Sequence, residues 1–233
     1  MRLRIFVEDR LTDAYEILAL RALGLPTARR DRRRVRAQRV DLDELTSGAS
    51  LLELARMSWQ SGYDCVLFVM DEEGLPRSPD RPAKLRDFRQ AFRELCDHLA
   101  ALKNTDPLRN LKVTRIVCRR CLEGWLAADP QAIVDSARGS RGLDYRPDAQ
   151  KTDDLLPHQA LDRIAQIIRE AGKRLGPHDL ARLASGSIKS RGASIAEHVQ
   201  PERARRHNTS LKYFLDMVDG SRSGCEHPFP EDR

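Results

Sequence analysis

The chain has 233 residues, of which 40% are hydrophobic and 33% charged, enough apolar material for one ordinary globular core with room for a smaller appendage. Its longest apolar runs, around Val66 to Met70 and Leu122 to Ala128, fall well short of the roughly 20 residues that span a bilayer, so a membrane-spanning protein is not expected. Net charge is +6 and the pI near 9.3, which points away from a cationic ligand surface and toward polyanions such as nucleic acid.

Residues 2 to 8, RLRIFVE, alternate polar and apolar side chains and predict a first strand that ends at Glu8. Thr12 to Leu23 carries apolar residues at helical spacing, begins with a Thr/Asp pair suited to an N-cap, and stops at Gly24 and Pro26. An arginine-rich segment follows, with Arg29, Arg30, Arg32, Arg33, Arg34 and Arg36 close together. Val35 to Val40 then predicts a short strand, and Ser47 to Gln60 a helix ending at Gly62. Asp64 to Met70, DCVLFVM, is a continuous apolar run of the kind found in strands buried on both faces of a parallel sheet, and it leads into Asp71, Glu72, Glu73 and Gly74.

Residues 75 to 82 hold three prolines and read as a loop. From Ala83 to Lys103 an amphipathic pattern sets Leu85, Phe88, Phe92, Leu95 and Leu99 along one stripe of a long helix. Val113 to Cys118 is a further strand, and CLEGWLAADP starts a helical segment interrupted at Pro130. Beyond it, Asp135 to Asp154 is polar, and helices are predicted at His158 to Glu170, Pro177 to Ser185, Ser194 to Gln200 and Thr209 to Val218. The alternation of strands and helices predicts an α/β fold, an open and mainly parallel sheet with flanking helices over residues 1 to 135, plus a mainly helical C-terminal extension over 136 to 233 packed on it.

The cysteines, Cys65, Cys96, Cys118, Cys121 and Cys225, are not spaced as a disulfide framework and read as reduced thiols. Cys118 and Cys121 form a CxxC without a second half at zinc-finger distance, so they are read as ordinary strand-end residues. With no apolar leader behind Met1, the chain reads as cytoplasmic. His158, His178, His198, His207 and His227 are scattered without ligand spacing, and Trp125 reads as core.

Acids stand where three strands should end: Glu8, then Asp71 with Glu73, then Glu123. In open α/β sheets the carboxyl ends of neighbouring strands line one crevice, so these carboxylates are expected to converge. Clustered carboxylates repel, and a hard cation such as Mg²⁺ or Mn²⁺ is the usual compensation. One or two such ions would activate water and stabilise the leaving oxygen of a phosphodiester. The bland reading is a set of solvated strand ends with an acidic turn. Glu123 resists it, because an acid between Leu122 and Trp125 must find compensation. Arg32, Arg33 and Arg34, with Arg203, Arg205, Arg206 and Lys212, are the basic residues expected to follow a nucleic acid backbone, and His207, Tyr213 and Phe214 lie beside the second group.

FVEDRLTDAY, LFVMDEEG and CLEGWLAADP resemble, in order and approximate spacing, the motifs of Toprim-type metal nucleases. The likeness is strongest to the OLD-like branch and to the small bacterial Toprim-like proteins grouped as domain of unknown function 4276. It covers mainly residues 1 to 135 and implies a Toprim/Rossmann-like sheet and Mg²⁺-dependent cleavage of nucleic acid. Glu8 matches the glutamate after the family's first strand, and Asp71 with Glu73 matches its acidic pair as D-x-E. Cys121, Leu122 and Glu123 match its S-x-E motif with cysteine for serine, which carries over Glu123 but not the hydroxyl. Asp9 replaces a frequent glycine, and the next acid, Asp13, falls five residues after Glu8 rather than four. No motif singles out Lys151, Lys173 or Lys189 for the family's lysine. The resemblance further implies a phage-defence setting and a separately encoded ATPase, since this chain has no GxxxxGK[ST] loop. A homodimer stays open, as do two other functions: a binding or regulatory module that kept the fold without efficient catalysis, and a phosphate-handling enzyme acting on small esters.

Overall fold

The computed structural model describes residues 1–27, 33–72, 81–138, 145–174 and 188–220. Four strands, β1 (Leu3–Val7), β2 (Val35–Arg39), β3 (Cys65–Asp71) and β4 (Lys112–Cys118), form one sheet in the order β2-β1-β3-β4. Every pairing is parallel, with Val7 opposite Val69 and Asp71 opposite Cys118. The expected open parallel α/β architecture is therefore present. The order of strands reverses between β1 and β3, so the crevice beyond their carboxyl ends is the topological switch point of the sheet.

Parity of the strands divides the core in two. Ile5, Val7, Leu67, Val69 and Ile116 face one side, where they pack with α1 (Thr12–Ala22), α5 (Leu122–Ala127), α6 (Pro130–Arg138), α7 (Pro157–Lys173), α8 (Ile188–His198) and α10 (Thr209–Asp219). Phe6, Val66, Phe68, Val113 and Val117 face the other, against α3 (Gly48–Gln60) and α4 (Arg81–Ala101). Phe6 stacks on Phe68 with ring centroids 5.5 Å apart. Short helices α2 (Leu42–Leu45) and α9 (Pro201–Ala204) and a 3-10 turn at Pro107–Asn110 complete the described elements. No described helix is long and apolar enough to cross a membrane.

Local chemistry accounts for most boundaries. Ser47 caps α3 by accepting from the Ser50 amide, and Asn208 caps α10 by accepting from Leu211. Gly220, with φ 79°, ends α10 in the left-handed region. Two expectations are corrected. Thr12 lies inside α1, where no side chain caps the start; Asp9 instead folds back to accept from the Leu11 amide at 3.0 Å. Pro130 does not merely interrupt a helix but opens the next one, since its missing N–H falls among the donors that a first turn leaves unbonded. A boundary at residue 135 therefore lies within α6, and helices from both halves of the chain share one core. The helix expected at Pro177 to Ser185 lies outside the described residues, as do Glu73, Arg29, Arg30, Arg32, Cys225, His178 and His227.

Candidate functional site

Asp71 is the final residue of β3, carried on the same sheet face as Leu67 and Val69, and it is only 5% exposed. Beside it on β4 is Cys118, fully buried, and the chain then turns through Arg120, which holds φ 65°. That left-handed residue is uncommon outside glycine and redirects the chain sharply from strand into α5. Cys121 sits at the N-cap of α5, and Glu123 in its first turn, 5% exposed. Glu72 braces the turn: its Oε2 accepts from the Arg120 amide at 3.2 Å. Glu72 is thus turned toward the β4–α5 loop.

The electrostatics join these residues. Burial pushes the Cys118 thiol well above its ordinary pKa, and the charge of Asp71, the neighbouring Cys121, a hydrogen bond to Asp71 and the charge of Glu123 add to it. Cys121 is raised too, first by burial and then by Glu123. Both groups stay thiols, and neither has the electropositive setting that makes a cysteine nucleophilic. From the opposite helix, Tyr15 directs its hydroxyl at Asp71 Oδ1, 3.5 Å away. Burial, followed by Asp71, Cys118, Asp9 and Glu8, holds that phenol protonated far above its usual range. Asp71 is the member common to both neighbourhoods: Glu8 and Asp9 act on Tyr15, Glu123 acts on the two thiols, and Asp71 acts on all three.

Asp71 and Glu123 thus both bear on the Cys118 and Cys121 thiols beyond the carboxyl ends of β3 and β4, while Glu8 bears on Tyr15. Among the described residues no three His, Cys, Asp or Glu side chains form a group that could hold a metal ion, and Glu73 is not among them. Behind the site a polar network fixes α5. Trp125 is fully buried, as expected for core, and its Nε1 donates to Ser210 Oγ at 2.7 Å. The same hydroxyl accepts from the Arg119 amide and donates to Asn208 Oδ1, so its hydrogen-bonding capacity is filled. Asn208 in turn donates to Thr152 Oγ1.

The basic residues sort differently from expectation. Arg203 makes a two-pronged pair with Asp129, Arg205 bonds to Glu202, Asp216 and Asp219, and Lys212 pairs with Asp216. These three cations stabilise the packing of α9 and α10, whereas Arg206, Arg33 and Arg34 are exposed. Sequence reasoning missed Tyr15, which reads as a member of the α1 pattern, and took Cys118 of the CxxC for an ordinary strand-end residue; a hydroxyl and a thiol near the predicted acidic edge were the available signal. The chain matches no family model, no curated protein and no solved structure.

Proposed function

We propose that this chain is a Mg²⁺-dependent nuclease of Toprim-like type, hydrolysing nucleic acid phosphodiesters at the carboxyl edge of β1, β3 and β4. The observation that carries the reading is the burial of two carboxylates, Asp71 at the end of β3 and Glu123 in the first turn of α5, which both bear on Cys118 and Cys121. Acids in that setting call for a compensating charge, and an all-oxygen donor set suits a hard divalent cation. Asp71 and Glu123 would hold it, joined by Glu8 and by Glu73, with Mn²⁺ as an alternative ion. When bound, the ion supplies Lewis acidity toward phosphate oxygens and a lowered pKa for water. The protein's own groups do the positioning. Tyr15 orients Asp71 through its hydroxyl, the Glu72–Arg120 contact sets the loop, and the Trp125–Ser210 bond fixes the turn that presents Glu123. A cytoplasmic, phage-defence role beside a separately encoded ATPase belongs to the same reading.

Incubation of fluorescent DNA and RNA oligonucleotides with the protein and Mn²⁺ or Mg²⁺ tests it. Cleavage that disappears with EDTA, and in both Asp71→Asn and Glu123→Gln, is the expected result; equal background cleavage in wild type and variants would sink it. A second reading, a nucleic-acid-binding module of this fold without efficient catalysis, is favoured by one observation. Tyr15 and Cys118 already direct O–H and S–H donors at Asp71, so part of its compensation is internal.

A further inference from the structure

The geometry points to Arg39, the last residue of β2, as a phosphate-binding residue that holds the nucleic acid backbone on the β2 side of the candidate site. The identity of the ligand rests on the nuclease reading above; the placement of the guanidinium does not. Arg39 stands on the sheet face that carries Asp71. It is in register with Val7, which is in turn in register with Val69, and Ala37, two residues earlier, packs against the core that holds both valines. Asp71 follows Val69 by two positions, so it and Arg39 share one side of the sheet at its carboxyl edge, with β1 between them. At about 4.8 Å per strand spacing, β2 and β3 lie roughly 10 Å apart, a gap that a nucleic acid strand covers in about three steps of 3.4 Å.

The guanidinium is anchored and still has donors to give. Its Nε donates to the Glu8 carbonyl at 3.3 Å, which ties the head group to the end of β1. Among the described residues neither Nη makes a hydrogen bond. The ion pair of Nη2 with Asp41 is 3.7 Å long, between side chains that are 48% and 80% exposed, and a pair of that length and exposure contributes little. Four N–H donors therefore remain for phosphate oxygens, on a head group whose freedom the Glu8 contact already restricts.

Charge supplies the reason for a cation here. Glu8 and Asp9 follow β1, while Asp41, Asp43 and Glu44 follow β2, and carboxylates so placed repel a polyanion. Three of them already have partners within the protein. Asp9 accepts from the Leu11 amide, Glu44 accepts from the Asp41 amide, and Asp43 pairs with Lys84. Arg39 is thus not locked into a carboxylate cluster. It meets an approaching phosphate with a planar fork that takes two oxygens at once, which lowers the repulsion at this end of the edge.

Fluorescence anisotropy with a fluorescein-labelled 20-nucleotide DNA strand and its RNA equivalent, in EDTA to prevent cutting, tests the assignment beside cleavage rates in Mn²⁺. Arg39→Gln should bind about five- to tenfold more weakly at low salt, and its slope of log K against log salt should flatten by about 0.7, the value of one phosphate contact to a single strand. In Mn²⁺ its KM should rise by a like factor with kcat within about twofold of wild type. Arg36→Gln removes an equal charge from the opposite face of the same strand and should stay within about twofold. Asp41→Asn keeps a capping side chain for α2 and frees Nη2 from its competitor, so binding should hold or tighten. Melting curves verify that each variant is folded, and a misfolded Arg39→Gln is replaced by Arg39→Lys, which keeps the charge without the fork and should lose about threefold. Unchanged affinity and salt slope in the folded Arg39 variant, an equal loss in Arg36→Gln, or as large a loss in Asp41→Asn would overturn the assignment. Binding that depends on Arg39 without metal-dependent cleavage leaves the assignment standing and removes the nuclease. Cleavage with KM unmoved in Arg39→Gln removes the assignment alone, and a wild type that neither binds nor cuts either strand removes both.

Discussion

Tyr15 on α1 reaches across the switch point to Asp71 on β3, its hydroxyl 3.5 Å from Oδ1, a long contact held by the packing of its ring against Trp125 and Phe214. Tyr15→Phe keeps that packing and removes only the donor. Stability should change by about 1 kcal/mol or less in thermal melts, while Mn²⁺ affinity by calorimetry and metal-dependent cleavage should fall severalfold. Unchanged metal affinity and cleavage would separate Tyr15 from the function of Asp71.

Alkaline pH should weaken the fold. Burial raises Tyr15, Cys118 and Cys121, and pushes Cys65 up to about 11. In each case the native state keeps a proton that the unfolded chain releases between its ordinary pKa and the raised one. Stability is therefore intact below about pH 8.5 and declines above it, first through the thiols and then, past about pH 10, through the phenol. The melting temperature should be level from pH 7 to 8 and fall steadily from pH 9 to 10.5. A level profile to pH 10.5 contradicts the burial of these groups.

The same setting orders thiol reactivity. Cys96 is half-buried on α4, whereas Cys118 and Cys121 are enclosed and held as thiols by neighbouring carboxylates. Iodoacetamide at pH 8, followed by peptide mass spectrometry, should label Cys96 at least tenfold faster than either CxxC cysteine. Rapid labelling of Cys121 in the folded protein argues against this arrangement.

Asp129, between α5 and α6, is a structural carboxylate that ties these helices to the C-terminal segment. Its oxygens receive Arg203 Nε and Nη2, both at 3.0 Å, the Gln200 amide at 2.8 Å and the Ala132 amide at 3.3 Å. Asp129→Ala removes a helix cap and strands a guanidinium, and should cost about 3 kcal/mol in urea unfolding. Arg203→Ala should cost at least as much as a surface pair and less than Asp129→Ala, because Arg203 is 35% exposed. A loss under about 0.5 kcal/mol for Asp129→Ala would contradict this role.

How far the sequence reveals these features depends on the range of the interactions. β3 was legible as an unbroken apolar run because both of its faces are covered, and α4 because its stripe repeats over 21 residues. The four-residue α2 was not, since its signal is only the Asp41 and Glu44 capping box. Acids were expected at strand ends, yet the placement of Asp71 beside Cys118 needs the β3–β4 pairing, and the contribution of Tyr15 needs α1 laid across them. Arg203 and Arg205 looked like an interaction surface because their partners are remote or ambiguous in sequence: Asp129 precedes Arg203 by 74 positions.

The core that α1 and the sheet share with α8 and α10 has a temporal consequence for a chain made from its amino end. All four strands leave the ribosome well before residue 210, but until then Trp125 lacks its hydroxyl partner and much of one sheet face lacks its cover. The turn that carries Glu123 is braced only after the last described helix docks. Synthesis thus delays bracing of the β4–α5 turn until Thr209–Asp219 has been made, and a shorter nascent chain carries the site's residues without its shape.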